Sequence, residues 1–335
     1  MQMPDLSIVI VNWNVRDLLR RCLQSLNPKF QWANGQNHIG SFVIGHLTIE
    51  IIVVDNASTD GSVEMVRQEF PGVKLIASET NLGYTGGNNL GIKSSQGRYV
   101  LLLNPDTEVV GDALSKMVAY MDAHPTVGAL GPQLLNSDGS IQSSRRRFPT
   151  LSTAFVESTV IQQWWPDNRI LRRYYVHDQP DDAISEVDWV TGACILLRRE
   201  AVEQVGLLDD EFFMYSEELD WCRRAHDAGW KVIYLPTAQV IHHEGKSSEQ
   251  VMPFRHIRFQ CSKIRYFRKH HGRWAAALVR AFLLLNYAYL LAIESLKWLV
   301  GHKRTLRAAR VKAYWQVLRS RLAHTIAVGQ NGHYK

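Results

Sequence analysis

The sequence predicts an α/β domain on a mixed, mainly parallel sheet, followed by a C-terminal basic helical extension. Three observations carry this. Apolar runs at residues 6–11, 49–54, 73–77 and 99–103 alternate with stretches of helical spacing, the order expected of parallel strands joined by right-handed crossovers. The runs at 6–11, 49–54 and 99–103 stop at short polar residues, Asn12, Asp55 and Asn104-Pro105-Asp106 respectively. Charge divides the chain at residue 250: residues 251–335 hold 17 Lys and Arg against the single acid Glu294, whereas the first 250 hold 21 basic and 31 acidic residues. Two domains are therefore expected, 1–250 and 251–335.

The first strand, 6–11, is β-branched and ends at Asn12-Trp13-Asn14. Leu18, Leu19, Cys22, Leu23 and Leu26 then recur at helical spacing. Residues 27–47, rich in Gly, Asn and His, read as a loop. The second strand ends at Asp55, and a helix is expected over 63–70. Residues 81–89, Asn-Leu-Gly-Tyr-Thr-Gly-Gly-Asn-Asn, read as a loop whose Gly83, Gly86 and Gly87 admit close backbone approach to a ligand, or form a plain turn. Leu101-Leu102-Leu103 is a strand buried on both faces, and proline stops it. Asp106 thus sits at the carboxyl end of a central strand, the edge where open α/β sheets bind ligands. Such a carboxylate holds a divalent cation or caps the helix that begins near residue 111. Asp55, on the same edge, accepts the ring N–H of a pyrimidine or caps a helix.

Residues 111–125 read as a helix and 127–135 as another strand. Arg145-Arg146-Arg147 is a basic loop that either meets phosphates or is solvated. Residues 151–182 read as a mobile region over the site. The sheet resumes at 187–198. Ser216 is a candidate N-cap and Gly229 a helix terminator, so Glu217 and Glu218 fall in a first turn, where the helix dipole favours ionised carboxylates. An ionised carboxylate facing a cleft acts as a general base; enrichment of acids at a helix start is the alternative. Asp220 is placed to pair with Arg223 or Arg224. Short strands at 231–235 and 238–241 lead to His242-His243, candidate metal ligands.

Composition excludes several classes. A hydrophobic fraction of 46% supports a folded core. Cys22, Cys194, Cys222 and Cys261 form no C-x-x-C pair, which argues against a zinc knuckle or disulfide scaffold and for a reducing compartment. The N-terminal apolar run is too short for a signal peptide. No G-x-G-x-x-G follows the first strand and no Walker motif occurs.

The segments at 7–14, 54–62, 81–89, 102–106, 192–193, 213–222 and 242–247, in this order, resemble the family 2 inverting glycosyltransferases of the GT-A fold, and the rhamnosyltransferase-type members most. The resemblance implies an enzyme of the hexosyltransferase class that extends a bacterial surface glycan, with Mg²⁺ or Mn²⁺ as cofactor. It implies that Asp55 contacts the nucleobase and that Asn12, Asn81, Gly83, Gly87, Asn88 and Asn104 line the nucleotide-sugar. Asn104 stands where the family's D-x-D motif has its first carboxylate, which leaves Asp106 and His242 for the metal, with His243 as the alternative histidine. Glu218 matches the catalytic base, with Glu217 one residue away. The favoured donor is dTDP-L-rhamnose; UDP-galactofuranose and UDP-hexoses are the alternatives. The acceptor is a hydroxyl of a glycan or polyprenyl-linked glycan.

In the extension, the uncharged run 281–293 is shorter than the roughly 20 residues of a membrane span. Basic residues flank it on both sides, which suits helices lying on an anionic membrane surface; a helical pair packed on the catalytic domain is the alternative. The expected location is cytoplasmic, peripheral on the inner face of the plasma membrane. A basic module that binds nucleotides or nucleic acid is the non-enzyme alternative, but the extension carries no nucleic-acid motif.

Overall fold

The computed structural model describes residues 3–26, 42–44, 46–243, 252–301 and 303–323. These pack as two compact units: the described residues of Met1–Phe148, Gln179–Phe213 and Glu217–Ser247, and those of Pro149–Asp178, Met214–Ser216 and Ser248–Lys335.

The first unit is the α/β domain. Its strands β1 (Leu6–Asn12), β3 (Leu47–Asn56), β4 (Lys74–Ser78) and β5 (Tyr99–Leu103) are parallel, in the order β4-β3-β1-β5. β2 (Phe42–Ile44) adds an antiparallel pairing to β3; residues 27–41 of the expected loop lie outside the described residues. β12 (Cys194–Arg198) runs antiparallel between β5 and β7 (Val127–Leu135), and β7 pairs in parallel with β13 (Lys231–His242). β1 is buried at every position, as a strand covered on both faces must be. Helices α1 (Arg16–Leu26), α2 (Ser62–Glu69) and α4 (Ala113–Ala123) add Leu19, Leu23, Met65 and Met117 to one core.

Several expectations change. Residues 81–89 are not a loop, because α3 spans Gly83–Ser94. Glycine weakens a helix, but here it permits close packing: a Cβ on Gly87 would lie 2.7 Å from Val11 Cγ1, and one on Gly91 would collide with Val9. Two residues of the Arg145 triplet leave the expected loop, and Arg147 stays in it. Arg145–Arg146 form β9, paired with β11 (Trp189–Val190), and Arg145 is buried against the Asp181 carboxylate and the Tyr234 ring. The 187–198 run breaks into β10 (Ser185–Val187), β11 and β12, with a turn at 191–193. The two short strands at 231–241 are one strand, β13, with a register shift between Leu235 and Gln239.

Ser216 directly precedes the next helix, at the N-cap position as expected, but without the extended backbone typical of a cap. Its φ is 66° and that of Tyr215 is 72°, whereas a capping residue is extended. Gly229 does end α9 (Glu217–Asp227): at φ 90° it donates to the His226 carbonyl and Trp230 donates to Ala225. Asp220 is fully buried and pairs with Arg224 at 2.8 Å, while Arg223 pairs with Asp227.

The second unit is helical. Residues 151–182, expected to be a mobile cover, contribute α5 (Leu151–Val156), α6 (Val160–Trp164) and α7 (Arg169–Tyr174) to it. Thr150, Thr159 and Asn168 each cap one of these starts by accepting a backbone amide. α10 (Met252–Leu299) is broken at Gly272, where φ is 88°. α11 (Arg304–Ser320) packs along α10, and α5 packs on α10 as well. One described helix, within His256–Leu299, is long and apolar enough to cross a membrane by length and composition. The helix runs on through the charged residues that bound the 281–293 run, so length alone does not exclude a span.

Candidate active site

The carboxyl ends of β1, β3 and β5 present Asn12, Asp55 and Asn104 on one edge. Parallel pairing puts Asn12 directly opposite Asp55, and Asn12 Nδ2 donates to Asp55 Oδ2 at 2.8 Å. The other Asp55 oxygen accepts the Ser58 amide. Asp55 caps no helix: α2 begins at Ser62, with Gly61 before it. One of its oxygens fixes the β3–α2 turn and the other ties it to β1, and only 1% of Asp55 is exposed. Asn12, Asn56 and Asn104 each keep a buried side-chain oxygen with no hydrogen-bond partner. Buried polar atoms are nearly always satisfied, so this edge is built to receive donors.

At the start of α3, Asn81 Oδ1 accepts the Gly83 amide, and Asn56 Nδ2 donates to the Gly83 carbonyl. Asn88 donates to Tyr84 O within the helix, and Asn89 is bonded to Leu208 and Asp210. Gly83, at φ 74°, admits no side chain, because a Cβ would lie 2.6 Å from the Phe213 carbonyl oxygen. Gly83 and Gly87 are therefore explained by packing.

Asp106 follows β5 and is 3% exposed. It does not cap α4, which starts at Ala113 behind Asp112. Its Oδ1 has no hydrogen-bond partner and lies 3.5 Å from His242 Nε2 at the end of β13. Gln142 faces the other nitrogen of that ring. Its Nε2 donates to Asn136 Oδ1, which turns its carbonyl oxygen to His242 Nδ1 at 2.7 Å. A proton on Nδ1, facing that oxygen, leaves the Nε2 lone pair toward Asp106. A carboxylate oxygen and an imidazole nitrogen so placed are a donor set that fits a divalent cation. His243 does not share the arrangement: its Nδ1 meets Ser137 Oγ at 2.7 Å and its Nε2 meets Glu108 Oε1 at 2.8 Å. Among the described residues no group of three such ligands occurs. Residues 244–247 of the quoted motif lie outside them.

Glu217 and Glu218 open α9. Glu218 Oε1 accepts the Gly192 amide at 3.2 Å, and Tyr84 Oη donates to the Gly192 carbonyl at 2.6 Å. The next carbonyl, of Ala193, accepts the Asn104 amide at 2.9 Å. The 191–193 turn thus ties Glu218 to the end of β5. Burial overrides the helix dipole here. It raises the Glu217 carboxyl well above the usual range, and the charge on Glu218 adds to this. Burial raises Glu218 too, but its own backbone amide, those of Gly192 and Leu219, and the charge of Arg146 oppose that rise. The Gly192 amide and the Arg146 charge both favour an ionised Glu218. Both keep a buried Oε2 without a partner. Sequence reasoning missed Gln142 and gave Tyr84 no role of its own. Nothing in the sequence marks Gln142, whose histidine is 100 residues away.

Residues 7–206 match the model of glycosyl transferase family 2, and the chain belongs to that family. Among its relatives is an N-acetylglucosaminyl-diphospho-decaprenol L-rhamnosyltransferase of Mycobacterium tuberculosis, 31% identical over 243 residues, 69% of this chain and 78% of the relative. The rhamnosyltransferase WbbL of Escherichia coli is 24% identical over 244 residues, 70% of this chain and 82% of its own. The fold is GT-A. A mannosyltransferase from Pyrobaculum calidifontis, solved in complex with GDP-Man and Mn2+, superposes with a TM-score of 0.53 at 16% identity over 96% of this chain and 88% of that one.

Proposed function

We propose that the protein transfers L-rhamnose from dTDP-L-rhamnose, with inversion, to a hydroxyl of a glycan carried on a polyprenyl diphosphate. The observation that carries the transferase chemistry is the Asp106–His242 pair on the edge whose β5 end is tied through 191–193 to Glu218. The sugar and acceptor follow the mycobacterial relative, whose name states both the transferred sugar and a lipid-linked acceptor; the dTDP carrier is what the family resemblance implies.

Asp106 Oδ1 and His242 Nε2 would hold Mg²⁺ or Mn²⁺, which when bound supplies charge stabilisation to the leaving diphosphate. Among the described residues these are the two side chains that would hold it. The unsatisfied oxygens of Asn12 and Asn104 accept donor hydroxyls or ring N–H groups. Asp55, fixed by Asn12 and Ser58, is rigid enough to read a pyrimidine N–H with a remaining lone pair. Glu218 removes the proton of the acceptor hydroxyl as its oxygen attacks the anomeric carbon from the face opposite the diphosphate. The raised pKa of Glu218 suits this step, because a base works best when its pKa lies near the working pH. Burial and the charge of Glu218 favour a protonated Glu217, which keeps the site from carrying two adjacent charges.

Calorimetric titration with dTDP, UDP and GDP, each with and without Mn²⁺, tests the reading. Metal-dependent binding of dTDP supports the donor class. Preference for UDP would keep the mechanism and replace the sugar with galactofuranose or a hexose. Folded protein that binds no nucleotide would overturn the transferase reading.

A further inference from the structure

We infer that the second unit docks on an anionic lipid surface through one face of α10, with the helix lying in the membrane plane and not crossing it. Past the break at Gly272, the exposed large apolar residues of α10 include Trp274, Leu278, Leu285, Tyr289, Leu296 and Leu299. At about 100° per residue they fall within about 80° of the helix circumference, and the intervening positions on that arc are alanines. The stripe carries no charge over a length of about 39 Å at 1.5 Å per residue. Trp274 is 78% exposed and Leu285 is 71% exposed. A contiguous exposed face of this size marks an interaction site.

Two observations name a membrane as the occupant. The first is tryptophan, which concentrates at membrane–water interfaces. All five tryptophans that are largely exposed among the described residues, Trp164, Trp165, Trp274, Trp298 and Trp315, belong to this unit. Trp164 packs edge-on against Tyr289 of the stripe. The second is charge. Arg273 lies over the Trp274 ring at one end of the stripe, and Lys297, Lys303 and Arg304 stand at the other. The exposed side of α11 adds Arg310 and Lys312. Apolar and cationic groups on one helical unit are what an anionic lipid surface recognises.

The opposite side of α10 rules out a span. It buries Val279, Leu283 and Tyr287 within the unit. Asn286 accepts the Val160 amide at 3.0 Å, and buried Glu294 accepts from Arg307 of α11 at 2.7 Å. Crossing the bilayer would either strip these partners away or carry the cations of α11 into hydrocarbon.

The inference rests on neither the donor nor the transfer reaction, so its test needs neither. The full chain is floated with phosphatidylcholine vesicles, with and without one third phosphatidylglycerol. Flotation with the anionic vesicles and a blue-shifted tryptophan emission are expected. The double variant Leu278→Glu/Leu285→Glu should lose at least about tenfold in bound fraction, with unchanged circular dichroism and melting temperature because both side chains are exposed. Four results would overturn the inference: no flotation of the wild type; flotation of the folded double variant; binding indifferent to phosphatidylglycerol; or resistance of the cell-membrane-bound protein to alkaline carbonate, which means a span. A concentration-dependent dimer abolished by the double variant, without flotation, would hand the face to a second copy of the chain.

Discussion

The Gly192 amide donates to Glu218 Oε1 across 3.2 Å, while the carbonyl of the same glycine accepts from Tyr84 Oη at 2.6 Å. One peptide group therefore aims the carboxylate and is itself held from behind. With Glu218 as the base, Glu218→Gln keeps the shape and one acceptor for the Gly192 amide but cannot take a proton. The kcat should fall by about 10²–10⁴-fold, the usual contribution of a general base, with nucleoside diphosphate affinity unchanged by calorimetry. A variant that loses affinity and keeps turnover would move the base elsewhere.

Tyr84 touches no reacting atom on this reading; it positions Glu218 through Gly192. Burial and the charges of Glu217 and Glu218 raise its phenol well above the usual range, so it stays a donor at every working pH. Tyr84→Phe leaves a buried carbonyl short of a partner, a cost of about 1–3 kcal/mol. If that cost falls on the orientation of Glu218, kcat drops about tenfold while the KM for donor stays fixed. A purely structural role would instead lower the melting temperature and leave kcat alone.

Glu217 links stability to pH. Its folded-state pKa is raised above the ordinary 4.5 by burial and by Glu218. The fold therefore prefers its protonated form. Its stabilising contribution is complete below the unfolded pKa and is lost as pH rises through the folded one. Glu217→Gln removes that loss. Calorimetric scans should give equal melting temperatures for variant and wild type near about pH 4, with the variant higher by a few degrees at neutral pH. A variant that melts lower at neutral pH would mean that the ionised carboxylate has a partner.

The parallel half of the sheet was legible because β-branched runs ending in polar residues admit few alternatives. Asp106 and His242 were legible as candidates for the same reason: each closes such a run, and the topology then brings the two run-ends together. The glycine-rich stretch misled because helix propensity counts against Gly83, Gly86 and Gly87 one by one, while the contacts that favour a helix there, with Val9, Val11 and Phe213, are tertiary. Gln142 and Tyr84 stayed hidden because their partners, His242 and Gly192, lie 100 and 108 residues away. Ser216 was legible as the residue before α9, but the left-handed backbone there and at Tyr215 was not, because it leaves no trace in their side chains.

That packing can be tested directly. A methyl group at Gly87 would lie 2.7 Å from Val11 Cγ1, and one at Gly91 would collide with Val9. Overpacking of this kind costs about 1–3 kcal/mol. Gly87→Ala and Gly91→Ala should each lower the denaturant midpoint. Gly91→Ala should do so without a matching loss of nucleotide affinity in the folded fraction. Unchanged stability in Gly87→Ala would return that glycine to a ligand-binding role.

Gln142 gives the sharpest test of the metal pair, because it touches His242 and not the cation. Its carbonyl oxygen lies 2.7 Å from Nδ1, which orients the ring and suits the tautomer that leaves Nε2 free to ligate. Partners of this type change metal affinity by about 10–100-fold when removed. Gln142→Leu should weaken Mn²⁺ binding in the presence of nucleoside diphosphate by that factor, read by calorimetry, with little change in melting temperature. His243→Ala removes a ring whose nitrogens already meet Ser137 and Glu108, and should leave Mn²⁺ affinity as it was. The opposite ranking, with His243→Ala the more damaging, would exchange the two histidines and remove the reason for placing the cation between Asp106 Oδ1 and His242 Nε2.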